Sequence, residues 1–202
     1  MYKRVIFGLA LAFSTTLFAG CAARTMPVSF VYAPLGETKG GSGELFLASA
    51  RCDAAAMAPA GELRFVIGTT RNYEGTVTGE MVSQLAPEDL VLDALKRELT
   101  LAGYHLECGT AMPAGIAKGV ELTAVKVNLE EKAGLSKSEV SGRVETSLEI
   151  WQDGKKVRKL SYQSQNSDVA VLERERLPRQ LIEQGLHEVM KQAVPEIVGI
   201  LK

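Results

Sequence analysis

Residues 139–151, EVSGRVETSLEIW, alternate in polarity with a period of two. Val140, Val144, Leu148 and Ile150 fall on one side, and Glu139, Ser141, Arg143, Glu145 and Glu149 on the other. That is the pattern of a strand with one face on a core and the other in water. Upstream, Val120–Glu131 reads as a long strand whose apolar set slips from Val120, Leu122 and Ala124 to Val125, Val127 and Leu129. The slip predicts a bulge or a change of covered face near Ala124. Downstream, Asp153-Gly154 marks a hairpin. A two-residue loop would set Leu148 opposite Lys159 and turn Leu160 and Tyr162 outward. A three-residue loop, Gln152–Gly154 with Gly154 left-handed, sets Leu160 opposite Thr146 and Tyr162 opposite Val144, and burial favours it. Three strands therefore form a meander.

Two helices flank it. Pro87 opens the first, followed by Glu88 and Asp89 at the positive end of the dipole. Val91, Leu92, Leu95, Leu99 and Ala102 form its apolar face, opposite Asp93, Lys96, Arg97 and Thr100, and Gly103 stops it. Tyr104–Cys108 reads as a short strand. The second helix begins near Pro178 with the stripe Leu181, Ile182, Gly185, Leu186, Val189, Met190 and Ala193, and Pro195 is expected to kink or interrupt it. The charged run Glu173–Arg176 before it reads as a solvated approach. Glu44–Cys52 and Leu63–Gly68 supply two more strands, and the polar stretch Thr69–Ala86 reads as loop. The expectation is an α+β domain: a mostly antiparallel sheet of about five to six strands packed against two helices.

At the N-terminus, Lys3 and Arg4 precede the apolar run Val5–Leu17, a signal-peptide pattern shorter than the ~20 residues that span a bilayer. The run Leu17-Phe18-Ala19-Gly20-Cys21 closes it and resembles the lipobox of bacterial lipoproteins, with Phe18 where an aliphatic residue is usual. The resemblance implies cleavage before Cys21, acylation of its thiol and new amino group, and a mature protein that begins at the anchor. Ala22 in the following position implies export to the outer membrane of a Gram-negative cell, facing the periplasm. Residues 1–20 are then signal peptide. Residues 21–43, rich in Pro and Gly, read as the lipidated cysteine and a flexible tether, and 44–202 as one periplasmic domain. Removing residues 1–20 takes Lys3 and Arg4 from the 23 basic residues and leaves 21 against 24 acidic ones, a balance of −3. No nucleic-acid footprint lies in that balance.

With Cys21 assigned to lipid, Cys52 and Cys108 remain. In an oxidising compartment they read as a disulfide, the alternative being two unrelated buried thiols.

The order of elements behind the anchor resembles the YajG-type lipoproteins. The match is carried by the helix running into Leu99-Thr100-Leu101-Ala102-Gly103-Tyr104 and a short strand, then by the long strand Val120–Leu129, the Asp153-Gly154 hairpin and the strand ending Tyr162–Asn166. The resemblance implies an envelope lipoprotein and brings no catalytic residues. LptE and the auxiliary lipoproteins of lipid transporters are similar in layout, although Ala22-Ala23-Arg24 stands where LptE-type proteins carry an aromatic segment.

Chemistry-bearing constellations are sparse. His105 and His187 have no second ligand at metal-binding spacing, and both read as surface or boundary residues. No Gly-x-Ser-x-Gly or Ser-x-x-Lys motif occurs, and Glu130-Glu131 lacks a recognisable acid/base partner. No catalytic residue, metal or cofactor is expected. The hairpin tip offers Trp151 and Val157 on the outer face beside Lys155 and Lys156, a combination enriched at protein contacts. The other reading of Trp151 is a ring that closes the end of the core. Two functions follow: a non-enzymatic module that binds another envelope protein, or an accessory of lipid or lipopolysaccharide transport with a lipid ligand.

Overall fold

The structure, a computed structural model, describes residues 24–53, 65–134, 136–171 and 174–202. The signal segment and Cys21 lie outside them, as do Leu63, Leu172 and Glu173. The elements are β1 (Arg24–Pro27), β2 (Glu44–Ala48), β3 (Phe65–Asn72), β4 (Val77–Ser83), α1 (Pro87–Ala102), β5 (His105–Gly109), β6 (Lys118–Ala133), β7 (Ser138–Gln152), β8 (Lys155–Ala170) and α2 (Arg176–Ile200).

The meander β6-β7-β8 is the backbone of the sheet, antiparallel throughout. β6 carries two further groups of strands on its other edge. Gly119–Glu121 pairs with β2, and Leu129–Ala133 pairs with β3. Between these two segments the register shifts at Thr123, the bulge that the slip in apolar phase foretold. A bulge bends its strand, which lets the two ends of β6 serve separate partners. β3 leads on to β4 and β1, and β2 to β5.

The sheet is therefore mixed rather than mostly antiparallel, and larger than expected. It has eight strands, and the pairings β1–β4, β2–β5, β2–β6 and β3–β6 are parallel. Parallel neighbours need a crossover, and α1 supplies one between the β3–β4 hairpin and β6. The stretch taken for loop, Thr69–Ala86, holds the end of β3, a turn in which Asn72 Oδ1 accepts from the Glu74 and Thr76 amides at 3.0 and 2.9 Å, and all of β4. Its polar composition hid it because β4 buries Gly79, Met81, Val82 and Ser83, not an aliphatic run.

Both helices lie on one face. α1 starts with Pro87 in its first turn, where Asp89 accepts from the Ala86 amide at 3.1 Å and pairs with Arg51 at 2.6 Å. Gly103, at φ 116°, ends it. The Gly103 and Tyr104 amides donate to the carbonyls of Thr100 and Leu99, a Schellman closure. α2 runs unbroken through Pro195. The Lys191 carbonyl that loses its donor there belongs to an exposed residue, as does Pro195, while Ile197 and Val198 remain buried on the continuing stripe. α2 lies close on β7: a Cβ built on Gly185 would stand 2.8 Å from Val144 Cγ2 and 2.9 Å from Ser164 Oγ.

Residues 24–43 are no loose tether. β1 pairs with β4, and the chain then crosses both helices as a strap in which Val28 and Tyr32 are buried. Glu98 of α1, 4% exposed, accepts from the Tyr32 hydroxyl at 2.7 Å and from the Leu35 and Gly36 amides at 2.6 and 3.0 Å. On α2, His187 Nε2 lies 2.8 Å from the Ala33 carbonyl, and its ring meets Tyr32 edge-on at 5.3 Å. Further along, the Gly41 amide donates to the Ala102 carbonyl. Residues 24–43 are accordingly packed with the rest of the described fold.

Cys52 and Cys108 form a disulfide with Cα atoms 5.7 Å apart. The parallel β2–β5 pair sets Leu47 opposite Cys108, and a turn closed by the Cys52 amide on the Ser49 carbonyl brings Cys52 back beside it.

Candidate functional site

The hairpin joining β7 and β8 is built on two left-handed residues, Asp153 at φ 50° and Gly154 at φ 72°. That is a two-residue turn of the type whose twist matches the strands. The register is neither of the two derived from the sequence. Trp151 faces Lys156, Ile150 faces Arg158, and Val157 between them is the extra residue of a bulge, so Leu148 stands opposite Leu160 and Thr146 opposite Tyr162. Burial decides the side, with Leu160 and Tyr162 turned inward, but the added residue sits in the bulge instead of the loop. The loop before β6 braces the turn, where the Asp153 and Gly154 amides donate to the carbonyls of Ala117 and Ile116.

Trp151 lies on the outer face, half-buried and outside the core. It stands opposite Gly119, and its indole N–H donates to Glu121 Oε2 at 3.1 Å. Lys156 Nζ sits 6.0 Å from the ring centroid and 2.7 Å from Glu149. The two neighbouring carboxylates, Glu121 and Glu149, are thus each matched by a donor, which fixes the ring. Lys155, Lys156, Val157 and Lys159 are exposed around it. The tip thus combines a fixed aromatic ring with exposed cationic side chains on one surface. Beneath it, Arg158 pairs with Glu196 of α2 at 3.2 Å, and the Tyr162 hydroxyl donates to the same carboxylate at 2.7 Å. Burial, then that hydrogen bond, pushes the Tyr162 pKa well above its ordinary value.

The remaining candidates are scattered. Cys21 is outside the described residues. His105 is exposed on β5, and His187 is spent on the strap. Glu130 pairs with Arg71 at 3.3 Å, whereas Glu131, on the opposite face, is buried and bonded to the Thr70 hydroxyl at 3.0 Å. Among the described residues no group of three or more His, Cys, Asp or Glu side chains is placed to hold a metal, and no helix is long and apolar enough to cross a membrane. The sequence reading missed the other end of the molecule. There Arg24, Thr70, Thr78, Glu131 and Arg174 line a cavity of about 610 Å³. These residues come from four strands and the approach to α2, and no local motif joins them.

No family model and no curated protein matches this chain. Solved structures with a similar outline include a DUF330-family protein from Xanthomonas campestris, 13% identical, with a TM-score of 0.47 over 88% of this chain and 94% of that one. Another is a minor lipoprotein from Acinetobacter baumannii, 16% identical, with a TM-score of 0.40 over 81% and 94%. A third is the rare lipoprotein B from Shewanella oneidensis, 11% identical, with a TM-score of 0.36 over 67% and 98%. No site residue transfers at these identities.

Proposed function

We propose that this chain is a lipid-anchored envelope lipoprotein, held by Cys21 in the outer membrane and facing the periplasm, and that it works as a non-enzymatic interaction module of the YajG-like kind. The observation that carries the reading is the layout of the two ends. Arg24, the first described residue, lies beside the ends of β3 and β6, while the Trp151 hairpin tip lies at the far end of β7. Fifteen residues of β7 at ~3.3 Å each place the tip about 45 Å from the anchored end. Two residues, Ala22 and Ala23, separate Cys21 from Arg24, three Cα steps with a reach of about 10 Å, so the domain stands on the membrane and presents its lysine-ringed tryptophan outward. The test is fractionation of cells expressing the wild type and Cys21→Ser. The wild type is expected in the outer membrane and the variant away from it; unchanged membrane association of the variant would overturn the anchoring.

A further inference from the structure

The cavity at the anchored end has the chemistry of a zwitterion site. Arg24 at the start of β1 and Arg174 before α2 line it, beside Glu175 and Arg176 at the helix entry, and among the described residues neither Arg24 nor Arg174 has a carboxylate partner. Glu131 lines it too and is 6% exposed. Its Oε2 accepts from Thr70, and among the described residues its Oε1 has no partner. A carboxylate held by one neutral hydroxyl keeps an oxygen free to accept from a cationic donor in the cavity. Arginines lining the same space suit an anion, and phosphate oxygens match their fork of N–H donors. Met26 and Ala133 give the wall an apolar part. The rim faces the membrane on the anchoring reading, and exposed apolar side chains cluster at this end: Tyr73 in the β3–β4 turn, Val77 that opens β4, and Val169 and Val171 at the end of β8. A tyrosine so placed suits a membrane interface.

We infer that this cavity seats the phosphoethanolamine headgroup of a membrane phospholipid, with Arg24 and Arg174 on the phosphate and Glu131 on the ammonium. An ammonium brings three N–H donors, one of which fills Glu131 Oε1; a choline headgroup brings none. The contact would hold the domain upright on the leaflet that Cys21 enters. It rests on the anchoring reading.

The test is hydrogen exchange of the full-length purified protein in nanodiscs of phosphatidylcholine alone, phosphatidylcholine with phosphatidylethanolamine, or phosphatidylcholine with phosphatidylglycerol. With phosphatidylethanolamine, amides of β1, β4 and the end of β3 are expected to exchange several-fold more slowly than in phosphatidylcholine alone, while those of residues 150–158 stay unchanged. Arg24→Gln with Arg174→Gln should abolish that slowing. Glu131→Gln, which keeps the Thr70 contact, should abolish it too without lowering the melting temperature. Equal exchange in all three nanodiscs overturns the proposal. Slowing as large with phosphatidylglycerol also overturns it, since charge alone would then suffice. Equal slowing by soluble phosphoethanolamine added to phosphatidylcholine nanodiscs overturns the lipid as the source. The intact mass reports acylation separately: protein without the acyl mass fails the anchoring reading, whereas acylated protein with equal exchange fails this one.

Discussion

Replacing Glu98 by alanine should loosen the strap that ties residues 28–36 to both helices. Three donors converge on that carboxylate, the Tyr32 hydroxyl and the Leu35 and Gly36 amides, at 2.6 to 3.0 Å. Hydrogen bonds to a charged acceptor contribute about 1.5–3 kcal/mol each, and they are not additive when they share one acceptor. Tyr32 is 2% exposed, so its hydroxyl cannot turn to water without opening the strap. The expected loss is about 3–5 kcal/mol, which for a domain of this size lowers the melting temperature by about 10 °C. Glu98→Gln keeps one acceptor oxygen and should cost roughly half as much. Tyr32→Phe removes a single bond to that charged acceptor, about 1.5–3 kcal/mol. Urea unfolding followed by circular dichroism measures all three, and Tyr32→Phe with Glu98→Ala should cost less than the sum of the single changes. A stability for Glu98→Ala within about 0.5 kcal/mol of wild type, the range of an inconsequential surface change, would refute the strap as a fixed part of the fold.

The two glycines of α2 should respond oppositely to alanine. Gly185→Ala drives a Cβ against Val144 and Ser164 and should cost about 1–3 kcal/mol, whereas Gly199→Ala meets nothing within 4 Å and should gain up to about 1 kcal/mol of helix propensity, both read by thermal denaturation. Reducing the Cys52–Cys108 bond, whose partners are 56 residues apart, should lower stability by about 4 kcal/mol on the chain-entropy model, and thiol counting on the denatured native protein should find neither cysteine reactive. Tyr32, Tyr104 and Tyr162 have folded pKa values raised chiefly by burial, with Glu98 and Glu196 adding to the first and third. Their stabilisation is complete below the unfolded value near 10 and is lost as pH climbs above it. An alkaline titration at about 295 nm should therefore show these three phenols ionising together with unfolding; their ionisation in the folded protein before any loss of circular dichroism would contradict this.

The parts of the fold written in strict periods could be read from the sequence, and the parts held by single residues could not. The alternation along 139–151, the slip near Ala124, and the Pro87 and Gly103 ends of α1 each follow from local chemistry that no distant partner overrides. The strap was hidden because Pro27, Pro34 and the glycines around Gly40 look like linker, and its hold lies on another element. One signal was present. Glu98 falls in register with Val91, Leu95 and Ala102 on the apolar face of α1, and a carboxylate there implies a buried donor. The favoured hairpin register is displaced by two residues, because a bulge at Val157 and a longer loop bury the same side chains. Of the two surfaces, the Trp151 tip is contiguous in sequence and legible there, whereas the cavity at the Arg24 end draws on Arg24, Thr70, Glu131 and Arg174, which only the tertiary fold brings together.

In the proposed function the protein stands on the membrane by one end and meets a protein partner with the other. Photo-crosslinking in intact cells tests it most directly, with the photoreactive residue placed in the full-length chain at Val157 on the tip or at Tyr73 at the anchored end, both exposed. One discrete protein adduct is expected from position 157 and none from position 73. Trp151→Ala should weaken that adduct with little change in melting temperature, because the ring lies on the outer face and its loss spares the ~3–5 kcal/mol of a core truncation. Adducts of equal yield from both positions, or none from position 157, would contradict it.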